Sequence, residues 1–274
     1  LRVVADVVVP VFRDLELTRT CLESVLRHSG PALGKLFIVD DGSPEPGMKE
    51  LLAGLRLAEP RVRLLRTPRN LGFVGAANLG LFASQADVVL LNSDARATAG
   101  WLERLVEILV RLPRVAAVSP LSNNGGYCSV PRFGVPVSVE ALGSTSPELG
   151  ALPLFTSMPT APGFCLLLRR AVVDQLGGFD PAYGRGYQEE NDWCQRARAA
   201  GHQVGRANRA FVFHVGEVSF AGQRARLDVL NARRLLRRYP GYAEDCRAFE
   251  QTREARLAAE EVAGQLGLES DAFP

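Results

Sequence analysis

The first two-thirds of the chain alternate between short apolar runs and stretches with apolar residues at helical spacing. Residues 2–12, RVVADVVVPVF, are apolar and β-branched and are interrupted by Pro10, which predicts a strand. Over 15–28, Leu15, Cys21, Leu22, Val25 and Leu26 fall near a 3.6-residue period, which predicts a helix. The two patterns then repeat. A buried strand over 35–43 ends in charge, and MKELLAGLRLA reads as a helix. RVRLLRT reads as a strand, FVGAANLGLFAS as a helix of small residues, 86–95 as another buried strand, and GWLERLVEILVRL as an amphipathic helix. Alternation of this kind predicts an α/β fold: βαβ units forming a mostly parallel, Rossmann-like sheet with helices on both faces.

The rhythm is lost over 120–160, where Gly, Pro, Ser and Asn accumulate. A stretch that long without pattern predicts a functional loop. Regular spacing returns with GFCLLLRRAVVDQLGGF, an acid-rich helix beginning at Glu189, and a strand AFVFHV. The last fifty residues read as helices: LDVLNARRLLRRY is basic on one side, and EQTREARLAAEEVAGQL is expected to be exposed and amphipathic. These patterns predict one main domain over 1–220 and a C-terminal helical extension over 221–274.

Composition narrows the function only slightly. The net charge of +2 on 274 residues gives no electrostatic case for nucleic-acid binding. Cys21, Cys128, Cys165, Cys194 and Cys246 are odd in number and form no CxxC pair. They read as reduced thiols of a cytoplasmic protein, not as a disulfide or zinc framework. No stretch approaches the ~18–20 continuous apolar residues of a membrane span, and no secretory leader pattern is present. The basic RRLLRR over 233–238 fits either a solvated helix face or peripheral contact with anionic lipid on the inner side of a membrane.

Ligands of open parallel sheets bind at the carboxyl ends of the strands, and three strands end there in polar groups: Pro10 to Arg13, Asp40 to Ser43, and Asn92-Ser93-Asp94. Asp94 is the candidate ligand for Mg²⁺ or Mn²⁺, which take oxygen ligands and often share them with substrate phosphates; the competing reading is an Asx-turn before the next helix. RNLGFVGAANLG places Gly72, Gly75 and Gly80 around a helix start, where amides can face an anion. It is neither G-x-G-x-x-G nor a P-loop, so close helix–sheet packing is the alternative. Of three histidines, His28 and His202 lie at helix ends, whereas His214 closes an apolar strand and is a candidate metal ligand.

In the acidic helix, ~100° per residue puts Cys194 and Ala197 within about 40° of Glu190, on an apolar inward stripe. Asp192 falls about 200° from Glu190, toward the polar side. An ionisable group on an inward stripe is a candidate general base, with Asp192 as the rival, while Glu189 and Asp192 are explained by the helix dipole and solvent.

VVVPVF, FIVDDGS, RNLGFVGAANLG, LLNSDA, GFCLLLRR, GGFDPAYGRGYQEENDWCQRARAAG and FVFHVG stand in the order found in inverting family-2 glycosyltransferases, rhamnosyl- and galactofuranosyltransferases among them. The resemblance spans roughly residues 3 to 216. It implies a GT-A fold with a donor half over about 1–95 and an acceptor half over about 96–220. It also implies a nucleotide-diphosphate sugar donor, UDP- or dTDP-linked, a Mn²⁺ or Mg²⁺ cofactor, and transfer with inversion to a glycan, lipid-linked or other hydroxyl acceptor in bacterial surface glycan synthesis. On this resemblance Pro10, Phe12 and Asp40 hold the base and ribose, and Asp41, Asn70 and Gly72 shape that pocket. Asn92-Ser93-Asp94 stands at the DXD motif with its first acid replaced by Asn92, so metal binding leans on Asp94 and His214. Gly163, Phe164 and Trp193 belong to the acceptor side, and Glu190 takes the position of the catalytic Asp. Tyr127, Phe133 and the GEVSFAGQ segment are candidate lids. Two alternatives are a sugar-nucleotide nucleotidyltransferase, which needs a Gly-rich basic loop after the first strand that VPVFRDLEL lacks, and a non-catalytic sugar-nucleotide-binding domain.

Overall fold

A computed structural model describes the chain over residues 4–142, 147–216 and 224–268. In chain order the elements begin with β1 (Ala5–Val11), α1 (Leu15–His28), β2 (Leu33–Asp40), α2 (Met48–Ala58), β3 (Val62–Arg66), α3 (Gly72–Ala83) and β4 (Asp87–Leu91). There follow β5 (Ala95–Ala97), α4 (Trp101–Arg111), β6 (Val115–Leu121), α5 (Val139–Leu142), β7 (Phe155–Ser157), β8 (Cys165–Leu168) and α6 (Arg170–Leu176). The remainder are α7 (Glu189–Ala199), β9 (Gln203–His214), α8 (Arg224–Arg238), α9 (Tyr242–Glu250) and α10 (Arg253–Gln265).

The strands form one sheet in the order β3-β2-β1-β4-β8-β6-β9-β5, with β7 paired to β9. β3, β2, β1 and β4 run parallel. β8 enters antiparallel to both β4 and β6, and β9 is parallel to β6. Both faces are covered, as alternation within each strand requires. Val7, Val9 and Val11 of β1 face a core shared with Leu22 of α1, Met48 of α2 and Trp101 of α4. Val8 faces the other core, with Leu81 of α3, Val172 of α6 and Trp193 of α7. Gly80 lets α3 settle onto β1: a methyl group there would collide with the Val8 side chain. Close packing therefore explains this glycine.

Two expectations are corrected. β6 is a fully buried strand running into the segment where no pattern was legible. α10 is packed, not exposed: Ala258, Ala259 and Val262 lie against Phe211, Phe213 and Leu121. Its buried stripe is made mostly of alanines, which carry little hydropathy but allow close approach. Arg206 of β9, 1% exposed, fixes this arrangement by donating to the carbonyls of Glu254, Ala255 and Tyr127. Among the described residues no helix is long and apolar enough to cross a membrane.

Candidate active site

In the order β3-β2-β1-β4 the chain reverses direction of travel between β1 and β4. A crevice is expected at their carboxyl ends, and Phe12 and Asn92 lie there. Pro10 pairs with Val39 of β2 and is half-buried, as is Phe12, whose ring lies under the Arg13 guanidinium at 5.2 Å.

The two acids that end β2 are engaged within the protein. Asp40, 1% exposed, accepts from the Ser43 amide and pairs with Arg66 Nε at 2.8 Å. Asp41 accepts from the amides of Leu71 and Gly72, each at 2.8 Å, and from the Thr67 hydroxyl. The α3 N-terminus is therefore capped by Asp41, so the anion that the Gly72 amide faces is a carboxylate of the protein itself, and the expected part of Gly72 in the donor pocket is not played by that amide. Asp40 likewise presents almost no surface to a base or ribose; it holds the turn after β2 and Arg66. Beside it, Ser43 Oγ and Asn70 Oδ1 are buried and have no hydrogen-bond partner among the described residues. Ser43 follows the carboxyl end of β2 and Asn70 that of β3, the rim on which a ligand of such a sheet binds. Ser43 was visible in the sequence only as a polar rim residue.

The pairing of β5 with β9 sets Ala95 opposite His214, which brings the histidine beside Asp94. His214 Nε2 lies 3.4 Å from Asp94 Oδ1, and the two side chains are 14% and 13% exposed. Asp94 Oδ2 accepts from the Gly216 amide. Burial alone would raise the Asp94 carboxyl, but His214 and the backbone amides outweigh it and hold it below the usual range. The ring of His214 stacks on Phe164 at 5.0 Å, and its Nδ1 lies 2.6 Å from the Asn124 carbonyl. A carbonyl can only accept, so Nδ1 carries a proton, and Nε2 is the ring nitrogen left to face Asp94. A backbone carbonyl that fixes the tautomer in this way is the usual support of a metal-binding histidine. Asn123 adds to it by exchanging hydrogen bonds with the His214 backbone. Asn92 Nδ2 stands 3.4 Å from the same Nε2, while Ser93 is half-buried in the turn. No group of three His, Cys, Asp or Glu converges among the described residues. The donor set therefore fits a hard cation that takes its remaining ligands from a substrate.

α7 begins after two consecutive non-glycine residues in the left-handed region, Tyr187 at φ 72° and Gln188 at φ 71°. Asn231 of α8 holds that turn by donating to the carbonyls of Tyr183, Gly186 and Tyr187. Glu190 is half-buried, and a methyl group on Gly163 would lie 3.2 Å from its Cγ. Burial first, then the charge of Asp228, pushes the Glu190 carboxyl up to about 7 against the pull of two backbone amides. Glu189 is 5% exposed, with an unpartnered Oε2, and burial and the charge of Glu190 hold its carboxyl well above the ordinary range. It is thus not a solvated dipole acid, as the sequence suggested. Asp192 is also corrected: it is fully buried, paired with Arg196 at 2.9 Å and Arg238 at 2.6 Å. The helical wheel misplaced it because α8 and the turn around Tyr183 cover the side that had looked polar.

Trp193 is fully buried, and its indole donates to the Gly177 carbonyl, so it offers no atom to an acceptor. Phe164 is 5% exposed and supports the His214 ring. Tyr127 stacks on Phe133 and meets Phe249 edge-on, with its hydroxyl on Glu250; these aromatic side chains are pinned to α9 and are not a loose lid. Residues 217–223 of the second candidate lid lie outside the described residues. Asn123, Asn124, Asn231 and Arg238 were missed by the sequence reading, since nothing local marks an asparagine or arginine whose partners are remote.

The family model described as Glycosyl transferase family 2 matches residues 6–177. The N-acetylglucosaminyl-diphospho-decaprenol L-rhamnosyltransferase of Mycobacterium tuberculosis is 28% identical over 188 residues, which are 59% of this chain and 58% of that protein. Among solved structures, GalNAc-T7 with UDP, GalNAc and Mn²⁺ superposes with a TM-score of 0.68 at 16% identity, over 98% of this chain and 56% of that one. The mannosyltransferase PcManGT of Pyrobaculum calidifontis, in complex with GDP-Man and Mn²⁺, gives 0.64 at 16% identity, over 97% and 76%. The chain thus spans little more than half the length of the first two of these relatives.

Proposed function

Because the chain belongs to glycosyl transferase family 2, we propose that it moves a sugar from a nucleoside-diphosphate sugar to an acceptor hydroxyl with inversion at the anomeric carbon. The observation that carries this proposal is Glu190: a half-buried acid with a raised proton affinity that lies against Gly163, whose neighbour Phe164 stacks on the His214 ring of the Asp94–His214 pair. Glu190 takes the proton of the acceptor hydroxyl as that oxygen bonds to the anomeric carbon and the bond to the diphosphate oxygen breaks. A carboxyl titrating near neutral pH suits this, since it is ionised often enough to act and basic enough to hold the proton.

Asp94 and His214 are the residues that would hold Mn²⁺ or Mg²⁺, and such an ion supplies positive charge against the departing diphosphate. Ser43 and Asn70 supply unpartnered polar atoms for the nucleoside, and Pro10 and Phe12 line the same side. The donor is expected to be UDP- or dTDP-linked. The acceptor is expected to be a glycan or a lipid-linked sugar, in keeping with the diphospho-decaprenol in the name of the mycobacterial relative. Against the nucleotidyltransferase alternative, β1 and α1 are joined by only Phe12, Arg13 and Asp14, with no Gly-rich loop.

The test is a panel of nucleotide sugars with Mn²⁺, scored by thermal stabilisation and slow donor hydrolysis. One or two donors are expected to stabilise the protein. If none binds, the sugar-transfer assignment fails.

A further inference from the structure

We propose that the outward face of α8 docks the protein onto an anionic lipid surface. The inner side of this helix is fixed to the domain. Leu235 is buried, Asn231 clamps the turn before α7, and Arg238 pairs with both Asp180 and Asp192. The other side is left open: Val229, Leu230 and Leu236 are 52%, 50% and 41% exposed, with exposed Arg233 and Arg237 among them. At ~100° per residue these five positions fall within one arc of about 120°. The nearest carboxylate on the helix, Asp228, lies about 140° from the middle of that arc and accepts from Gln188. Among the described residues, Arg233 and Arg237 have no ion-pair or hydrogen-bond partner.

The occupant follows from this combination. A solvated helix face intersperses charges of both signs and exposes few large apolar side chains. This one carries only positive charge between exposed Val and Leu. A second copy meeting it about a two-fold axis would set arginines against arginines. A phosphate-rich bilayer surface satisfies both components: guanidinium groups bond phosphate oxygens, and the apolar side chains sink toward the acyl boundary. α3, which packs on the same side of the sheet as α7, exposes Leu79 and Phe82, at 39% and 55%.

Docking through α8 also sets the orientation of the site. The helix holds the start of α7 on either side of Glu190, Asp228 to Gln188 and Arg238 to Asp192, so Glu190 stands at a fixed offset from the surface that α8 touches. The docking does not depend on which residue is the base.

Flotation of the full chain with phosphatidylcholine vesicles, and with phosphatidylcholine–phosphatidylglycerol vesicles, tests it. The wild type is expected to float with the anionic vesicles only and to be released by high salt. Arg233→Glu/Arg237→Glu is expected to bind at least about 30-fold more weakly, and Leu230→Ser/Leu236→Ser to bind more weakly as well. Both variants are expected to keep the wild-type unfolding midpoint and nucleotide-sugar affinity. Absence of wild-type binding to anionic vesicles, undiminished binding by the arginine variant, or concentration-dependent dimerisation abolished by the same substitutions would overturn the proposal while leaving the sugar-transfer assignment untouched.

Discussion

Arg238 Nη1 of α8 lies 2.6 Å from Asp192 Oδ1, and Arg196 Nε lies 2.9 Å from the other oxygen of the same carboxylate. The hydroxyls of Tyr183 and Tyr239 stand 3.3 Å from Oδ1, and Asp192 has no exposed surface. A carboxylate enclosed in this way holds α7 and α8 together and has no route to an acceptor. Glu190, two residues earlier, has the opposite surroundings: a glycine beside it, partial exposure, and an acid, Asp228, in place of a guanidinium. Neighbouring acids in one turn thus have different duties, set by which elements pack over them.

Asp192→Asn would leave Arg196 without its counter-charge and Arg238 with Asp180 alone. Breaking a buried pair costs about 3–5 kcal/mol, so urea unfolding is expected to shift to a markedly lower midpoint. Transfer per folded molecule should stay within a few-fold of wild type. An unchanged midpoint with abolished transfer would move the base from Glu190 to Asp192.

Transfer should follow the ionisation of Glu190. Its carboxyl is raised to about 7, and only the carboxylate accepts a proton, so kcat/KM is expected to climb with pH and level off above a midpoint near 7. Stability should move the other way. The folded value lies above the ordinary 4.5, so stability present at low pH is lost as pH rises from 4.5 through about 7. Glu190→Gln removes that loss, and its stability advantage over wild type should widen with pH, to on the order of 3 kcal/mol. Thermal unfolding of both proteins across this window checks the sign.

The parallel part of the sheet, β1 to β4 with its helices, was legible because each strand and helix announces itself locally. Val7, Val8 and Val9 alternate between two cores, and α2 falls on MKELLAGLRLA as its spacing predicts. The candidate site was legible where chemistry lies at a strand end, as with Asp94 and His214. It was not legible where burial depends on elements remote in sequence. Asp192 was misplaced because the covering groups, Tyr183, Tyr239 and Arg238, come from other segments. Asn124 gives no sign in SNNGG that its carbonyl fixes a histidine tautomer ninety residues away. α10 hid its core face because alanine contributes little to an apolar pattern.

Removing either member of the Asp94–His214 pair should act on donor binding as well as on turnover. Calorimetric titration of UDP with and without Mn²⁺ is expected to show metal-dependent tightening in the wild type. Asp94→Asn and His214→Ala should lose it by roughly 10- to 100-fold. Equal tightening in all three proteins would exclude these residues as ligands.

Gly163→Ala would place a methyl group 3.2 Å from Cγ of Glu190, closer than an ordinary contact. Glu190 should be displaced by a fraction of an ångström, with kcat reduced roughly 10- to 100-fold and donor affinity unchanged. Wild-type kcat in this variant would mean that the position of Glu190 is not critical.

The most direct test of the base assignment is single-turnover transfer by Glu190→Gln alongside its donor dissociation constant. The amide keeps the size and one acceptor oxygen of the side chain but cannot take a proton. The expected result is wild-type donor affinity with transfer slowed about 10²- to 10⁴-fold. Near-normal transfer by a variant that still binds donor would contradict it.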